Sequence, residues 1–385
     1  MPAPVSEILT PALLRGLRER AAGHDRENSF AHEDLAALRE AGYLTAMLPA
    51  ELGGRDWGFA EAVAGQRLVA AHAPGTALAV NMHLVWLGVD RLLRARGDER
   101  LARMRGWAAE GEVLAFGVSE PGNDAVLFDS FTEARRREDG DYELTGAKIF
   151  TSLSAAWTRL GVFGKEGEGE DARLVHGFVQ RQPGVEVLPN WDAVGMRASA
   201  SNGTKLDKAL LRAEDVHSVL GVGEASDPLI FGIFASFLTL TGSVYAGVAD
   251  RAVQLAAGNL TLRRSRATRE SLAQDPALRW RVAEAGMSQL ALDAQARELA
   301  SDLDAGADHG ASWFPRLVTF RTQAGDTARE LVMEALKVSG GSEFSRGTEL
   351  ERLYRDVLAS LYHPSDAESA HRTVADWLLG PLAQA

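Results

Sequence analysis

The hydrophobic pattern of this chain changes twice along its length, and these changes constrain the fold more than any other feature. Residues 1–112 place apolar side chains three or four positions apart, which is typical of helices. From Val113 onward the apolar residues come in short runs bounded by turn residues, which is typical of strands. The helical spacing returns after Ser226-Asp227-Pro228. The sequence therefore predicts an α+β protein of three regions.

We predict an N-terminal helical domain at residues 1–112, a central β-barrel or sandwich at 113–225, and a C-terminal four-helix bundle at 226–385. A chain of 385 residues is too long for one core, which agrees with several domains. Asp139-Gly140 predicts a hairpin turn in the central region. The strand-like runs are VLAFGVSE (113–120), YELTGAKIF (142–150), RLVHGFVQR (173–181) and GVEVLP (184–189).

Composition excludes several classes of partner and compartment. The formal net charge is −12, so nucleic acid and anionic membrane surfaces, which are also negative, are disfavoured. The chain has no cysteine, which excludes disulfides and thiolate metal ligands. We expect no membrane span, because no apolar run approaches roughly 20 residues, and the N-terminus shows no signal-peptide pattern. These features predict a cytoplasmic protein.

The common catalytic and ligand-binding motifs are absent. The chain contains no GxGxxG after a strand, no GxxxxGK[ST], no HExxH and no GxSxG. His83 and His363 have no metal-ligand spacing around them, so no metal site is predicted. Nicotinamide binding, phosphate binding by a P-loop and zinc proteolysis are therefore unsupported.

Four segments together resemble the acyl-CoA dehydrogenase superfamily in order and spacing. Each alone has an ordinary structural explanation, but their shared order within an α–β–α chain is specific. The resemblance covers nearly the whole chain and implies a flavin-dependent oxidoreductase. The segments are FGVSEPG (116–122), GAKIFTS (146–152), WDAVGMRASAS (191–201), and SGG (339–341) with LERLYRD (350–356).

The resemblance implies a flavin, usually FAD, held at a subunit interface in a homodimer or homotetramer. Isoalloxazine is flat and largely apolar with one polar edge, so strand N–H groups and an aromatic side chain suit it. Two departures leave FMN open as well: the turn at Gly122-Asn123-Asp124 is short, and the segment after Arg264 lacks the family's phenylalanine. The cofactor-binding residues implied are Phe116, Val118, Ser119, Phe150, Ser152, Arg264, Gly340, Gly341 and Ser365.

The resemblance implies α,β-dehydrogenation of an acyl-CoA thioester, with hydride transfer to flavin N5, as in fatty acid metabolism. Electrons would then pass to an electron-transfer flavoprotein. The family's catalytic glutamate is replaced by His363, and the alternative stretch from Phe234 to Gly247 has no acidic residue. Imidazole, with an unperturbed pKa of about 6.5, suits general-base catalysis, so His363 is the first catalytic candidate.

Two further interpretations stay open. Two-component flavin monooxygenases share this fold and use oxygen with reduced flavin from a flavin reductase, acting on small apolar substrates. In that case His83, Ser152 and His363 would form the catalytic set. A non-catalytic flavin-binding homologue is the third interpretation. We expect the apolar residues at 84–87 and 234–240 to set the depth of the pocket.

Overall fold

The computed structural model describes residues 4–382 and has the mixed helical and sheet fold that the sequence predicts. The N-terminal part is helical, and its longest helix, α5, is buried along most of its length. Pro74 opens α5 at a position where its missing N–H is not needed. The helices are α1 (Val5–Ile8), α2 (Pro11–Glu27), α3 (His32–Glu40), α4 (Phe59–Ala70), α5 (Pro74–Arg94) and α6 (Ala102–Ala109).

The central part is one sheet of eight strands in the order β6-β7-β3-β2-β4-β5-β8, with β1 paired in parallel to β4. The turn predicted at Asp139-Gly140 connects β2 and β3, and Gly140 has a φ of +91° that a side chain would strain. The strands are β1 (Leu114–Gly117), β2 (Glu133–Arg136), β3 (Tyr142–Lys148), β4 (Arg159–Glu166), β5 (Arg173–Gln180), β6 (Val185–Val187), β7 (Thr204–Leu211) and β8 (Val216–Gly221).

The C-terminal part is a bundle built around α7, which packs against both α5 and α9. Asp227 caps α7 by accepting a hydrogen bond from the backbone N–H of Leu229. The helices are α7 (Pro228–Leu262), α8 (Pro276–Ala305), α9 (Trp313–Ser339), α10 (Glu349–Val357) and α11 (Ala367–Leu379).

The expectation that no apolar run reaches membrane-spanning length was wrong for α7. This helix has 35 residues and is long and apolar enough to cross a membrane by length and composition alone. However, 89% of its most apolar window is buried within the chain. Helix α7 is therefore a core helix, whose uniform apolarity reflects neighbours on all sides.

Candidate active site

A cavity of about 350 Å³ opens where the end of β1, helices α5 and α7, and the segment after α10 meet. This volume is in the range of small-molecule sites, roughly 300–1,000 Å³. Among the described residues, none of those that line it is an aspartate or a glutamate. The lining residues are Leu78, Met82, Phe116, Val118, Ser119, Phe150, Ser152, Trp191, Ala193, Val194, Gly195, Met196, Ser201, Phe237, Arg355, Leu358, Ala359, Tyr362, His363 and Pro364.

The end of β1 supplies one wall. The rings of Phe116 and Phe237 are stacked with centroids 5.6 Å apart, which makes this wall flat and apolar. Just beyond the strand, the backbone N–H groups of Val118 and Ser119 donate to no acceptor within residues 4–382. An apolar wall beside two unpaired N–H donors matches the chemistry of an isoalloxazine ring and its polar edge. The residues present therefore fit a flavin.

The segment 150–152 forms a second wall. Phe150 has a φ of +53°, a conformation uncommon for a residue with a side chain and frequent at functional sites. Its ring is half-exposed and meets Trp191 edge-on, with centroids 6.5 Å apart. The Oγ of Ser152 lies 2.7 Å from the Oγ of Ser201, which lies 2.7 Å from the Oγ of Ser199. Ser152 thus belongs to a chain of buried hydroxyl groups.

The WDAVGMR segment is held in place by α10. Gly195 lies so close to this helix that a Cβ atom would be 2.2 Å from the carbonyl oxygen of Arg355. The backbone N–H of Met196 donates to Oδ1 of Asp356 at 2.6 Å. Burial raises the pKa of Asp356 to about 6, although the hydrogen bond from Met196 opposes this. The Arg-Asp segment of α10 therefore fixes the loop that closes the cavity.

His363 lines the cavity and is connected to the bundle core. Its Nε2 lies 2.6 Å from the hydroxyl oxygen of Tyr245 on α7. Nη2 of Arg321 donates to the carbonyl oxygens of His363 and Ser360, each at 2.7 Å. Burial lowers the pKa of His363 to about 3, and the nearby charge of Arg321 acts in the same direction. The imidazole is therefore neutral at physiological pH.

The contact with Tyr245 indicates which nitrogen of His363 carries the proton. Burial raises the pKa of Tyr245, so its hydroxyl group stays protonated. Within residues 4–382, the acceptor within hydrogen-bonding distance of this hydroxyl is Nε2 of His363. If Tyr245 donates to Nε2, the proton of the neutral ring is on Nδ1. Nδ1 makes no hydrogen bond within the described part of the chain. His363 thus has an N–H donor available at the cavity.

His83 is not brought to this cavity. Its Nε2 lies 2.8 Å from the carbonyl oxygen of Leu44, and its Nδ1 accepts a hydrogen bond from the backbone N–H of Leu114 at 3.1 Å. Burial lowers the pKa of His83 to about 4. Both ring nitrogens are therefore satisfied where the N-terminal helices meet β1, and the set of His83, Ser152 and His363 is not assembled.

Four other predicted cofactor residues do not line the cavity in the single chain. Arg264 lies in an exposed bridge with Ser271 and donates to the carbonyl oxygen of Arg269. Gly340, with a φ of +87°, ends α9, and Gly341 follows it in an exposed turn. Ser365 contacts Ser369 through its hydroxyl group. Their contact with a flavin stays a prediction that depends on a neighbouring subunit.

Sequence reasoning missed several residues that form the cavity. Tyr245, which contacts His363 but does not line the cavity, lies on α7, where a uniformly apolar sequence gives no periodic signal for the face near a ligand. Phe237, on the same helix, lines the cavity and falls within the predicted range 234–240. Helix α5 contributes Leu78 and Met82, which precede the predicted residues 84–87. Trp191 begins the segment WDAVGMRASAS, and its place in that segment was the signal that could have identified it. The structure adds its contact with Phe150.

The buried imidazoles predict a loss of stability in mild acid. Burial lowers the pKa of His83 to about 4 and those of His176 and His363 to about 3. An unfolded histidine titrates near 6.5, so below that pH the unfolded chain binds more protons than the folded chain. Between pH 6.5 and 5 each histidine should remove about 2 kcal/mol of stability.

The measurement is the free energy of urea unfolding at pH 7.5 and at pH 5. Replacing His176→Phe should shrink the difference between the two pH values by about 2 kcal/mol. Phe163 stacks on His176 with centroids 5.0 Å apart, and a phenylalanine preserves this ring contact. An unchanged pH dependence in this variant would contradict the prediction.

Comparison with known families agrees with this geometry. The family "Acyl-CoA dehydrogenase, N-terminal domain" matches residues 13–102, and the family "Acyl-CoA dehydrogenase, C-terminal domain" matches residues 239–362. Together these matches cover more than half of the chain. The chain belongs to the acyl-CoA dehydrogenase superfamily, and the predicted membership is confirmed. It is a flavoenzyme of the acyl-CoA dehydrogenase fold.

Individual relatives differ in their reactions. An L-evernosamine nitrososynthase of a Micromonospora species is 29% identical, over 91% of this chain and 86% of that protein. The putative acyl-CoA dehydrogenase YdbM of Bacillus subtilis is 26% identical, over 93% of each chain. The structure of KijD3 in complex with FMN and dTDP-3-amino-2,3,6-trideoxy-4-keto-3-methyl-D-glucose has a TM-score of 0.86 and 26% identity, covering 99% of this chain and 95% of that chain.

Proposed function

We propose that this chain is a flavin-dependent monooxygenase, which uses reduced flavin and oxygen to oxidise a small substrate. The observation that carries this proposal is the chemistry of the cavity around His363. Among the described residues that line it there is no carboxylate, and the imidazole there has a pKa of about 3. The first expectation, acyl-CoA dehydrogenation, becomes the second candidate.

Dehydrogenation of a thioester requires a base that removes a weakly acidic proton from carbon. A general base works best when its pKa lies near the operating pH. The pKa of His363 lies far below neutrality, and Nε2 is engaged by Tyr245. The proton of the ring on Nδ1 would meet a ligand as a donor and not as a base. His363 is therefore suited to hydrogen-bond donation.

The residues divide the remaining tasks. A bound flavin would supply the electrons that activate oxygen, with reduction by a separate flavin reductase. The N–H groups of Val118 and Ser119 would hold its polar edge, and Phe150 would cover its ring. Phe116 and Phe237 keep the cavity apolar, which excludes water and strengthens each hydrogen bond inside it. The FMN in the KijD3 complex supports FMN over FAD as the cofactor.

The nitrososynthase among the relatives makes an amine the first substrate class to examine. The experiment mixes the protein with FMN, a flavin reductase, a reduced nicotinamide and isotopically labelled oxygen, in the presence of a panel of amines. We expect substrate-dependent incorporation of one labelled oxygen atom, detected by mass spectrometry.

The cytoplasmic location also stays a prediction.

The competing reaction has its own measurement. Acyl-CoA esters of several chain lengths are mixed anaerobically with the oxidised flavoprotein, without any reductase. Dehydrogenation would bleach the flavin absorbance and would place an electron-transfer flavoprotein downstream, so bleaching would overturn our proposal. Absence of both reactions across the panels would favour the non-catalytic homologue.

We also expect a homodimer or homotetramer in solution. Helix α8 exposes Trp280, Met287 and Leu290, of which Trp280 is 71% and Leu290 69% exposed. Large apolar side chains grouped on one helix are typical of an interface. The variant Leu290→Asp with Met287→Asp should shift the mass measured by light scattering toward the monomer. An unchanged mass would place the interface elsewhere, and Arg297→Asp on the same helix is the control.

A further inference from the structure

A second cavity, of about 660 Å³, adjoins the candidate active site. The two cavities share the wall formed by Ala193, Val194 and Arg355. This second cavity lies between the end of α2 and the start of α10. Five arginines and two acidic residues line it, although the whole chain is strongly acidic. A basic cavity on an acidic protein therefore adjoins the predicted flavin site.

Three of the arginines are paired with carboxylates. Arg355 donates to Asp25 and to Glu351, each with a shortest distance of 2.6 Å. Arg197 contacts Asp192 at 3.0 Å, and Arg26 contacts Glu27 at 3.0 Å. The two acidic residues of the lining, Asp25 and Glu351, are thus both engaged by Arg355. Their charge does not reach the remaining two arginines as an ion pair.

Arg346 and Arg352 are the exceptions. Within residues 4–382 neither forms an ion pair or a side-chain hydrogen bond. Arg346 is exposed, but Arg352 is only 6% exposed, and its buried Nε has no partner. The charges of Glu349 and Asp356 act on Arg352, but its buried N–H donor still lacks an acceptor, which is costly unless a ligand supplies one. Arg352 lines the cavity, so an anion in the cavity would supply that partner.

We propose that this second cavity is a phosphoryl-binding site, with Arg352 and Arg346 as its cationic ligands. A guanidinium group offers a planar set of N–H donors that matches a phosphoryl oxygen pair. Two unpaired guanidinium groups suit a group that carries close to two negative charges. The shared wall allows one ligand to place its phosphoryl group here and its remaining part in the active-site cavity. The site does not depend on whether oxygenation is the reaction.

The phosphoryl group has two possible sources, the flavin itself or a phosphorylated substrate. Calorimetry on the FMN-saturated protein with inorganic pyrophosphate measures the substrate source. Titration of the apoprotein with FMN and with riboflavin, which lacks the phosphate, measures the flavin source. The variants are Arg352→Gln, Arg346→Gln and, as a control, Arg297→Gln, whose side chain is 73% exposed on α8.

We expect Arg352→Gln to weaken one of these interactions at least tenfold, and Arg346→Gln to weaken the same one less. Weaker pyrophosphate binding assigns the site to a substrate, whereas weaker FMN binding with unchanged riboflavin binding assigns it to the cofactor. The proposal is overturned if both arginine variants bind pyrophosphate, FMN and riboflavin as the unaltered chain does. Because Arg346 is exposed, its variant keeps the test valid even if Arg352→Gln folds poorly.

Discussion

Replacing His363→Ala should reduce turnover roughly 100- to 1,000-fold while the flavin stays bound, as expected when one preorganised donor is removed from a dry site. The residue lines the cavity, and its neutral ring leaves an N–H at Nδ1 without a partner among residues 4–382. The measurement is the rate of product formation with reduced flavin, together with the absorbance of bound flavin. His72→Ala, a histidine on the outside of the N-terminal helices, is the control.

Two conservative replacements separate the nitrogens of His363. The side-chain amide of asparagine overlaps the position of Nδ1, whereas that of glutamine overlaps the position of Nε2. If His363 acts through Nδ1–H, His363→Asn should retain more activity than His363→Gln. Tyr245→Phe removes the donor to Nε2 and should lower turnover about fivefold, since a hydrogen bond contributes on the order of 1 kcal/mol. Full activity in His363→Ala would remove this residue from the mechanism.

Replacing Glu120→Gln should destabilise the fold by about 3–5 kcal/mol, the usual cost of breaking a buried ion pair from one side. Nζ of Lys148 donates to Oε1 of Glu120 at 2.6 Å, and both side chains are almost completely buried. The carboxylate also accepts hydrogen bonds from the hydroxyls of Ser130 and Thr132 and from the backbone N–H groups of Phe131 and Thr132. The measurement is urea unfolding, with the exposed Glu186→Gln as control.

Replacing the other member of the pair, Lys148→Met, should destabilise the fold less than Glu120→Gln does. Without Lys148 the carboxylate keeps five hydrogen bonds from other donors, one of them from the side-chain amide of Asn123. Without Glu120 the ammonium keeps, within residues 4–382, one hydrogen-bond acceptor, the carbonyl oxygen of Phe163. The double variant should therefore be more stable than Glu120→Gln alone. If all three variants were as stable as the unaltered chain, the pair would contribute little.

Acid should reveal the same pair. Burial alone would raise the pKa of Glu120, but the charge of Lys148 and the hydrogen bonds lower it to about 2. An unfolded glutamate titrates near 4.5, so this stabilisation is complete above pH 4.5 and is lost as the pH falls toward 2. Glu120 directly follows Val118 and Ser119, so loss of the pair should also release the flavin.

The architecture was predictable because the period of the apolar residues changes with the type of element. Two of the strands that the sequence did not predict, β2 and β7, lacked that signal for physical reasons. β2 has the sequence EARR, in which only Ala134 is buried, so the sequence has no apolar alternation to detect. This segment is a strand because it pairs with β3 and β4. β7 contains Lys208 with a φ of +54°, which interrupts the alternation of buried and exposed residues.

The site was predictable where backbone segments carry it and less so where side chains meet across domains. Phe116, Ser119, Phe150, Ser152 and His363 were inferred from segments whose order is specific, and all line one cavity. The pairing of His363 with Tyr245 joins residues 118 positions apart, and no local pattern encodes such a contact. The sequence likewise could not identify Arg346 and Arg352, since only packing distinguishes them from arginines on a solvated surface.

Helix α7 has a consequence for how the chain is made. Its apolar surface is covered by α5, synthesised before it, and by α9, which ends at Ser339. Until α9 has left the ribosome, a nascent segment of membrane-spanning length and composition lacks the cover that α9 provides. During that interval the chain should depend on chaperones that bind apolar segments, and truncation before residue 313 should send it to aggregates or to the membrane fraction.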